Sequence, residues 1–248
     1  MSSLAAAVEF DRVSKAFGDR VVLQDVSFAI APGTAFGVLG RSGTGKSVTL
    51  KHIIGLIRPD AGRVLVHGED ITELRPRALA RVRRRMGFLF QEAALFDSIT
   101  VGENVAFPLR RHTRLGEAAI VARARQRLAD VELSDAFDAM PADLSGGMRK
   151  RVGLARAMVL DPDILLVDEP SAGLDPITSR EIDGLLIGLR RAGTTLVVVT
   201  HNIPSARAIA DELAVLGDGR IVARGTAADL DANPDPLVQA FMRAGTGG

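Results

Sequence analysis

The chain has 248 residues, 47% of them hydrophobic, enough to build one substantial core. A formal net charge of +1 is too balanced for a strongly electrostatic nucleic-acid footprint, and the absence of cysteine excludes disulfides and Cys-ligated metals. No apolar stretch approaches the length needed to span a bilayer, and Met1–Glu9 lacks the basic region and apolar run of a signal peptide, so neither a membrane span nor a leader is expected.

In chain order, Val8–Val13, Val21–Ile30 and Arg63–His67 alternate or run apolar between turn residues, which predicts a small antiparallel sheet at the start. Phe36–Leu39, Met86–Phe90, Ile164–Val167 and Leu196–Thr200 are continuous apolar runs that suit parallel core strands covered on both faces. From about residue 93 to 159, Ala, Arg and Leu recur at helical spacing, which predicts a helical lobe inserted between two core strands. Pro176 suits the first turn of a helix over Ile177–Arg191. The basic run Arg75–Arg85 is expected to be a solvated helix face, with Leu79, Val82 and Met86 on the core side. Ala118–Ala129 is expected to be a surface helix, since it lacks the aromatic or leucine face of a membrane-lying segment. The fold class is therefore α/β, and without an internal repeat one chain carries one such unit.

Residues 40–47 read Gly-Arg-Ser-Gly-Thr-Gly-Lys-Ser, a complete match to the phosphate-binding loop G-x-x-x-x-G-K-[ST], between a predicted strand and a predicted helix. Gly40, Gly43 and Gly45 let the backbone turn so that successive N–H groups, with those of Arg41, Ser42 and Thr44, surround phosphate oxygens. The helix N-terminus adds partial positive charge. Lys46 is expected to reach the β- and γ-phosphates of ATP, and the Ser47 hydroxyl to ligate Mg²⁺.

Ile164-Leu-Leu-Val167 ends in Asp168-Glu169, which places two carboxylates at the strand edge where α/β proteins bind ligands. Asp168 suits a second Mg²⁺ ligand, and Glu169 a general base that polarises the attacking water. Leu144-Ser-Gly-Gly-Met148 opens an Arg- and Ala-rich helix; Ser145 is a good N-cap, and Gly146 and Gly147 expose backbone N–H groups at its positive end. This second phosphate-binding surface makes sense if one molecule closes over nucleotide held by another.

Gln91, Leu144–Met148, Asp168-Glu169, Ser171-Ala-Gly-Leu-Asp175 and His201, in this order after the phosphate loop, resemble the ABC-transporter ATPase domain over essentially the whole chain. The resemblance implies one P-loop ATPase domain over 8–245, with an N-terminal antiparallel β subdomain and the helical subdomain of about 93–159 inserted in a RecA-like core. It implies that Gln91 touches Mg²⁺ and senses a membrane partner, and that Ser145 and Gly147 bind γ-phosphate across a homodimer interface. Asp175 then links the two sites, and His201 contacts the γ-phosphate. Phe17 stands where the family usually stacks a Tyr on adenine.

Met148 departs from the Gln common at the end of the signature, and Leu-Ser-Gly-Gly-Met is similar to the ATPases of Mce/Mla-type lipid transporters. Asn104-Val-Ala-Phe-Pro-Leu-Arg110, Asp175-Pro-Ile-Thr178 and Ala232-Asn-Pro-Asp-Pro236 carry the same resemblance. It implies a peripheral subunit on the cytoplasmic face of the inner membrane, an integral membrane permease, an MCE-domain periplasmic partner and lipid cargo. The permease is expected to dock on an apolar groove of Leu95, Phe96 and Phe107. Some family members carry a longer C-terminal extension that clasps a partner, whereas this sequence stops soon after Phe241-Met-Arg243. The alternatives are an ATPase for a small-solute transporter and a soluble ABC ATPase acting on ribosomes or DNA. The latter commonly carry two fused units or long coiled coils, and neither occurs here.

Overall fold

The computed structural model describes residues 5–41 and 43–244. Of the predicted positions, Ser42 and the residue 245 end of the expected domain lie outside the described residues. Two sheets organise the chain. Strands β1 (Val8–Phe17), β2 (Arg20–Ile30), β4 (Ala61–Val66) and β5 (Glu69–Asp70) form an antiparallel sheet in the order β2-β1-β4-β5. The second sheet runs β10-β9-β3-β8-β7-β6, built from β3 (Ala35–Leu39), β6 (Met86–Leu89), β7 (Ile164–Asp168), β8 (Thr195–Thr200), β9 (Glu212–Gly217) and β10 (Arg220–Gly225). Strands β6, β7, β8, β3 and β9 are parallel, and β10 closes the edge as an antiparallel hairpin with β9.

The period of two along each strand distributes the core between the two faces. On β7, Leu165 and Val167 join a cluster with Leu89, Leu196 and Val198, packed under Val105, Leu128 and Val152 of the helices on that side. Ile164 and Leu166 face the other way, with Phe36, Val38, Val197 and Val199, onto Leu50 and Ile53 of α1 (Lys46–Ile53). Phe10, Phe28 and Phe36 stack in succession, with ring centroids 4.5 and 5.0 Å apart, and tie the antiparallel sheet to the parallel one.

Helix α2 (Pro76–Arg83) carries the basic run; Val82 is buried, and Arg83 donates to Ile54 O and Gly55 O. Between β6 and β7 come α3 (Val101–His112), α4 (Glu117–Asp130) and α5 (Gly146–Met158). Helix α3 starts in a full capping box between Thr100 and Glu103. Helix α6 (Pro176–Arg191) links β7 to β8, with Pro176 at its first position. Helices α7 (Ile203–Ile209), α8 (Ala227–Asp231) and α9 (Pro236–Ala244) pack on the far edge, where Leu230, Val238 and Met242 cover Leu39 and Val215. Among the described residues, no helix is long and apolar enough to cross a membrane.

Candidate functional site

The loop between β3 and α1 turns at Gly43 (φ +80°) and Gly45 (φ +105°), conformations that side chains with a Cβ rarely adopt. Gly45 also lacks room, because a Cβ there would lie 2.9 Å from Val22 O. Gly45 is the N-cap of α1 and has no side chain with which to cap the first amides of that helix. The Lys46 ammonium is buried and donates to Gly40 O at 2.8 Å and Arg41 O at 3.1 Å. An open pocket of about 310 Å³ runs from Lys46 and Ser47 past Gly43 to Phe17, whose ring is half exposed. Arg20 closes its side by donating to Gly43 O at 2.9 Å.

Strand parity brings the carboxylates in. Asp168 shares the face of Ile164 and Leu166, the α1 side, and its Oδ1 accepts from Ser47 Oγ at 3.0 Å. Burial pushes the Asp168 pKa up; the adjacent Glu169 charge adds to this, and the Ser47 hydrogen bond opposes it. Glu169 breaks from strand geometry at φ +49°, which re-aims the second carboxylate. Its Oε2 accepts from Thr200 Oγ1 at 3.1 Å and His201 N at 3.2 Å, and lies 2.9 Å from His201 Nδ1. Its Oε1 faces the Lys46 ammonium at 3.7 Å. The His201 ring is largely exposed beyond the buried Glu169. Lys46, Ser47, Asp168, Glu169 and His201 thus converge on one sheet edge.

A second cluster forms at the start of α5. Ser145 caps that helix, its Oγ accepting from Met148 N at 3.2 Å. Gly147 abuts α6 so closely that a Cβ would stand 2.4 Å from Thr178 Cγ2. Thr178 in turn donates its hydroxyl to Asp175 at 2.6 Å, while Asp175 accepts from Ile177 N and Thr178 N as the α6 N-cap. Ser145, Gly146, Gly147 and Asp175 therefore lie together, and none of them lines the phosphate-loop pocket. Gln91 is exposed just after β6.

The link between the clusters is Lys150, which belongs to none of the sequence motifs. It is buried on α5 and donates to Glu169 O at 2.8 Å; burial lowers its pKa. Thr200 was likewise missed. A signal existed for Lys150: Gly147, Lys150, Arg151, Leu154 and Met158 recur at helical spacing, and all are buried on one face.

Beside Gln91 lies a groove of about 500 Å³ floored by Phe88, Phe90, Phe96, Phe107 and Pro108, with Arg84, His112 and Arg156 along its sides. The expectation that Leu95 lines this groove is corrected. The backbone reverses through left-handed Ala93 and Ala94, so Leu95 packs inward on the core under α3 and α5, while Phe96 and Phe107 face out, 5.0 Å apart.

The family model described as ABC transporter matches residues 23–172. The chain is 42% identical, over 241 residues, to the intermembrane phospholipid transport system ATP-binding protein MlaF of Escherichia coli K12, covering 97% of this chain and 90% of that protein. It is 40% identical, over 240 residues, to the probable ribonucleotide transport ATP-binding protein mkl of Mycobacterium bovis, covering 96% of this chain and 67% of that protein. Among solved structures, the dimeric post-hydrolysis state of the ATP-binding cassette MJ0796, bound to ADP and Pi, superposes with a TM-score of 0.82 at 33% identity, over 88% of this chain and 98% of that one.

Proposed function

The chain belongs to the ABC transporter family as an ATP-hydrolysing subunit, and on that premise we propose that it energises phospholipid trafficking through a separate membrane permease. The observation that carries the cargo is the likeness to MlaF across 97% of the chain. The Leu144–Met148 signature adds to it.

The proposed chemistry follows from the site. ATP stacks its base on Phe17 and lays its phosphates along Gly40–Ser47, with Lys46 moving from the loop carbonyls to the β- and γ-phosphates. The Ser47 hydroxyl and Asp168 carboxylate, 3.0 Å apart, fit Mg²⁺, a hard cation that takes oxygen ligands and fills its remaining positions with substrate phosphates and water. Gln91 completes this donor set, and the ion when bound neutralises charge on the phosphate oxygens. Glu169 takes the proton of the attacking water. His201 Nδ1, 2.9 Å from Glu169 Oε2, keeps that carboxylate aimed and gives the exposed ring a position from which to meet the γ-phosphate. The phosphate loop and the Ser145–Gly147 cluster are separate on one chain, so a second copy supplies the amides that close over each nucleotide. The groove of Phe96 and Phe107 beside Gln91 receives the permease on the inner face of the membrane. An MCE-domain protein exchanges lipid with the complex.

Co-expression with its cognate permease tests this reading. The membrane complex is expected to contain two copies of the chain and to retain phospholipid detectable by mass spectrometry, and Glu169→Gln is expected to stall lipid transfer between vesicles and the MCE-domain partner. A complex without lipid, whose ATPase responds to a ribonucleotide, would favour a small-solute transporter, the reading to which the likeness to mkl belongs.

A further inference from the structure

The segment after Gln91 bends through two consecutive left-handed residues, Ala93 (φ +58°) and Ala94 (φ +48°). Neither is glycine, and a Cβ in that region crowds its own backbone, so the bend needs support from outside the segment. Local support is thin: Ala93 N donates to Phe90 O at 2.9 Å and Ala94 N to Glu92 O at 2.7 Å. The rest comes from α5. Arg156 Nη2 donates to Ala93 O at 2.6 Å and Nη1 to Ala94 O at 2.7 Å, so one guanidinium grips two successive carbonyls. One turn earlier, Gly153 makes room for the bend, since a Cβ there would lie 3.1 Å from Ala93 Cβ.

Of the other α5 cations, Arg151 bridges Glu132 and Glu181, Lys150 holds Glu169 O, and Arg149 donates to Leu144 O at 2.6 Å at the start of its own helix. Among the described residues Arg156 forms no ion pair, so its charge is spent on the two carbonyls. From the opposite side, fully buried Asn104 accepts from Phe96 N at 2.8 Å and donates to Phe96 O at 3.0 Å. The segment is clamped at 93–94 and at 96, and Gln91 stands between the end of β6 and the first clamp.

We propose that Arg156 is a positioning residue: by holding the Ala93–Ala94 bend it sets where Gln91 stands, and it couples Gln91 to the helix whose other end carries Ser145. A shift of α5 against the sheet then moves the signature cluster and the Gln91 loop together. This rests on the role proposed above for Gln91 in hydrolysis.

The test compares Arg156→Lys, Arg156→Lys with Ala94→Gly, and Gln91→Ala in the full chain. The measurements are kcat and KM for MgATP, and amide hydrogen exchange over residues 91–96. Lysine keeps the charge but cannot bond two adjacent acceptors in one plane. Arg156→Lys is expected to lower kcat about fivefold or more, with KM within about twofold, and to speed exchange over 91–96. Ala94→Gly removes the crowded Cβ and is expected to restore kcat to within about twofold of wild type. Wild-type kcat with wild-type exchange in Arg156→Lys would overturn the proposal. So would a loss that Ala94→Gly leaves unrestored while exchange rises throughout α5. If Gln91→Ala keeps wild-type kcat while Arg156→Lys still loosens 91–96, the hydrolytic role of Gln91 falls and the hold of Arg156 on the bend stands.

Discussion

Lys46 and Glu169 are both buried and stand 3.7 Å apart, yet each is held mainly by other groups, the lysine by loop carbonyls and the carboxylate by Thr200 and His201. That arrangement gives Lys46 a charge available to phosphate at little rearrangement. Lys46→Ala removes a charge-assisted contact of about 1.5–3 kcal/mol, so MgATP affinity is expected to fall roughly 10- to 100-fold, with turnover nearly lost. Titration calorimetry checks the first effect, and near-wild-type affinity would refute the loop assignment. Asp168 gives a test with a sign. Its folded pKa is raised by burial and by Glu169, so the stability it carries is present below its unfolded pKa and lost as pH rises through the folded one. Ionised Asp168 therefore costs stability at neutral pH. Asp168→Asn keeps an acceptor for Ser47 Oγ; it is expected to abolish hydrolysis yet to melt above wild type at pH 7, with the gap narrowing as pH falls through the raised folded pKa and closing below the unfolded value of about 3.9. A variant that melts below wild type at pH 7 would contradict this account of the site. The loop residues and Asp168-Glu169 were legible because their chemistry depends on residue type and spacing. Thr200 and Lys150 were not, because their contribution is a contact between distant segments that spacing does not encode.

At the scale of elements, β7 was legible because burial on both faces writes a continuous apolar run, Ile164–Val167. The β9–β10 hairpin was missed although a local signal was present. Asp218 and Gly219 both have positive φ (+47° and +74°), the pattern that makes Asp-Gly a favoured two-residue hairpin turn. The inward turn of Leu95 could not be read, since it depends on left-handed alanines that no propensity would assign. The start of α5 allows a paired test of packing. Gly147→Ala drives a Cβ into Thr178, whose hydroxyl is tied to Asp175, and is expected to cost about 1–3 kcal/mol, a fall in Tm of several degrees. Gly146→Ala meets only Leu174 Cδ2 at 3.6 Å and gains helix propensity, so its Tm is expected to hold or rise slightly. Equal melting of the two variants in a thermal scan would mean that the α5–α6 contact is looser than described. Met148 packs partly buried against the core, beside Leu133, Ala136 and Leu144. Only its backbone N–H is bonded to the Ser145 cap, so Met148→Gln is expected to change turnover less than about tenfold, or ~1.4 kcal/mol of barrier. Complete loss of steady-state hydrolysis would give Met148 a role that packing does not explain.

For the whole molecule, the separation of the two clusters is the decisive feature. One chain carries a phosphate loop with its carboxylates and, elsewhere on its surface, a helix N-terminus flanked by Asp175; in the proposed function, two chains bring one of each together. The order of motifs along the sequence made both clusters legible and already suggested that they act across two chains; the fold adds how they are kept apart, since neither Ser145–Gly147 nor Asp175 lines the phosphate-loop pocket. Lys150 reaching Glu169 O, and Arg156 reaching the bend after Gln91, give one helix a hold on both. Glu169→Gln tests this arrangement most directly, because it keeps the shape of the site and removes the base, at a cost of about 10²–10⁴ in hydrolysis. Light scattering of this variant after size exclusion is expected to give the 26.3 kDa of a single chain without nucleotide and twice that mass with MgATP, the closed pair accumulating because it cannot turn over. A variant that stays at the single-chain mass with saturating MgATP while hydrolysing at the wild-type rate would contradict both the base and the two-chain site.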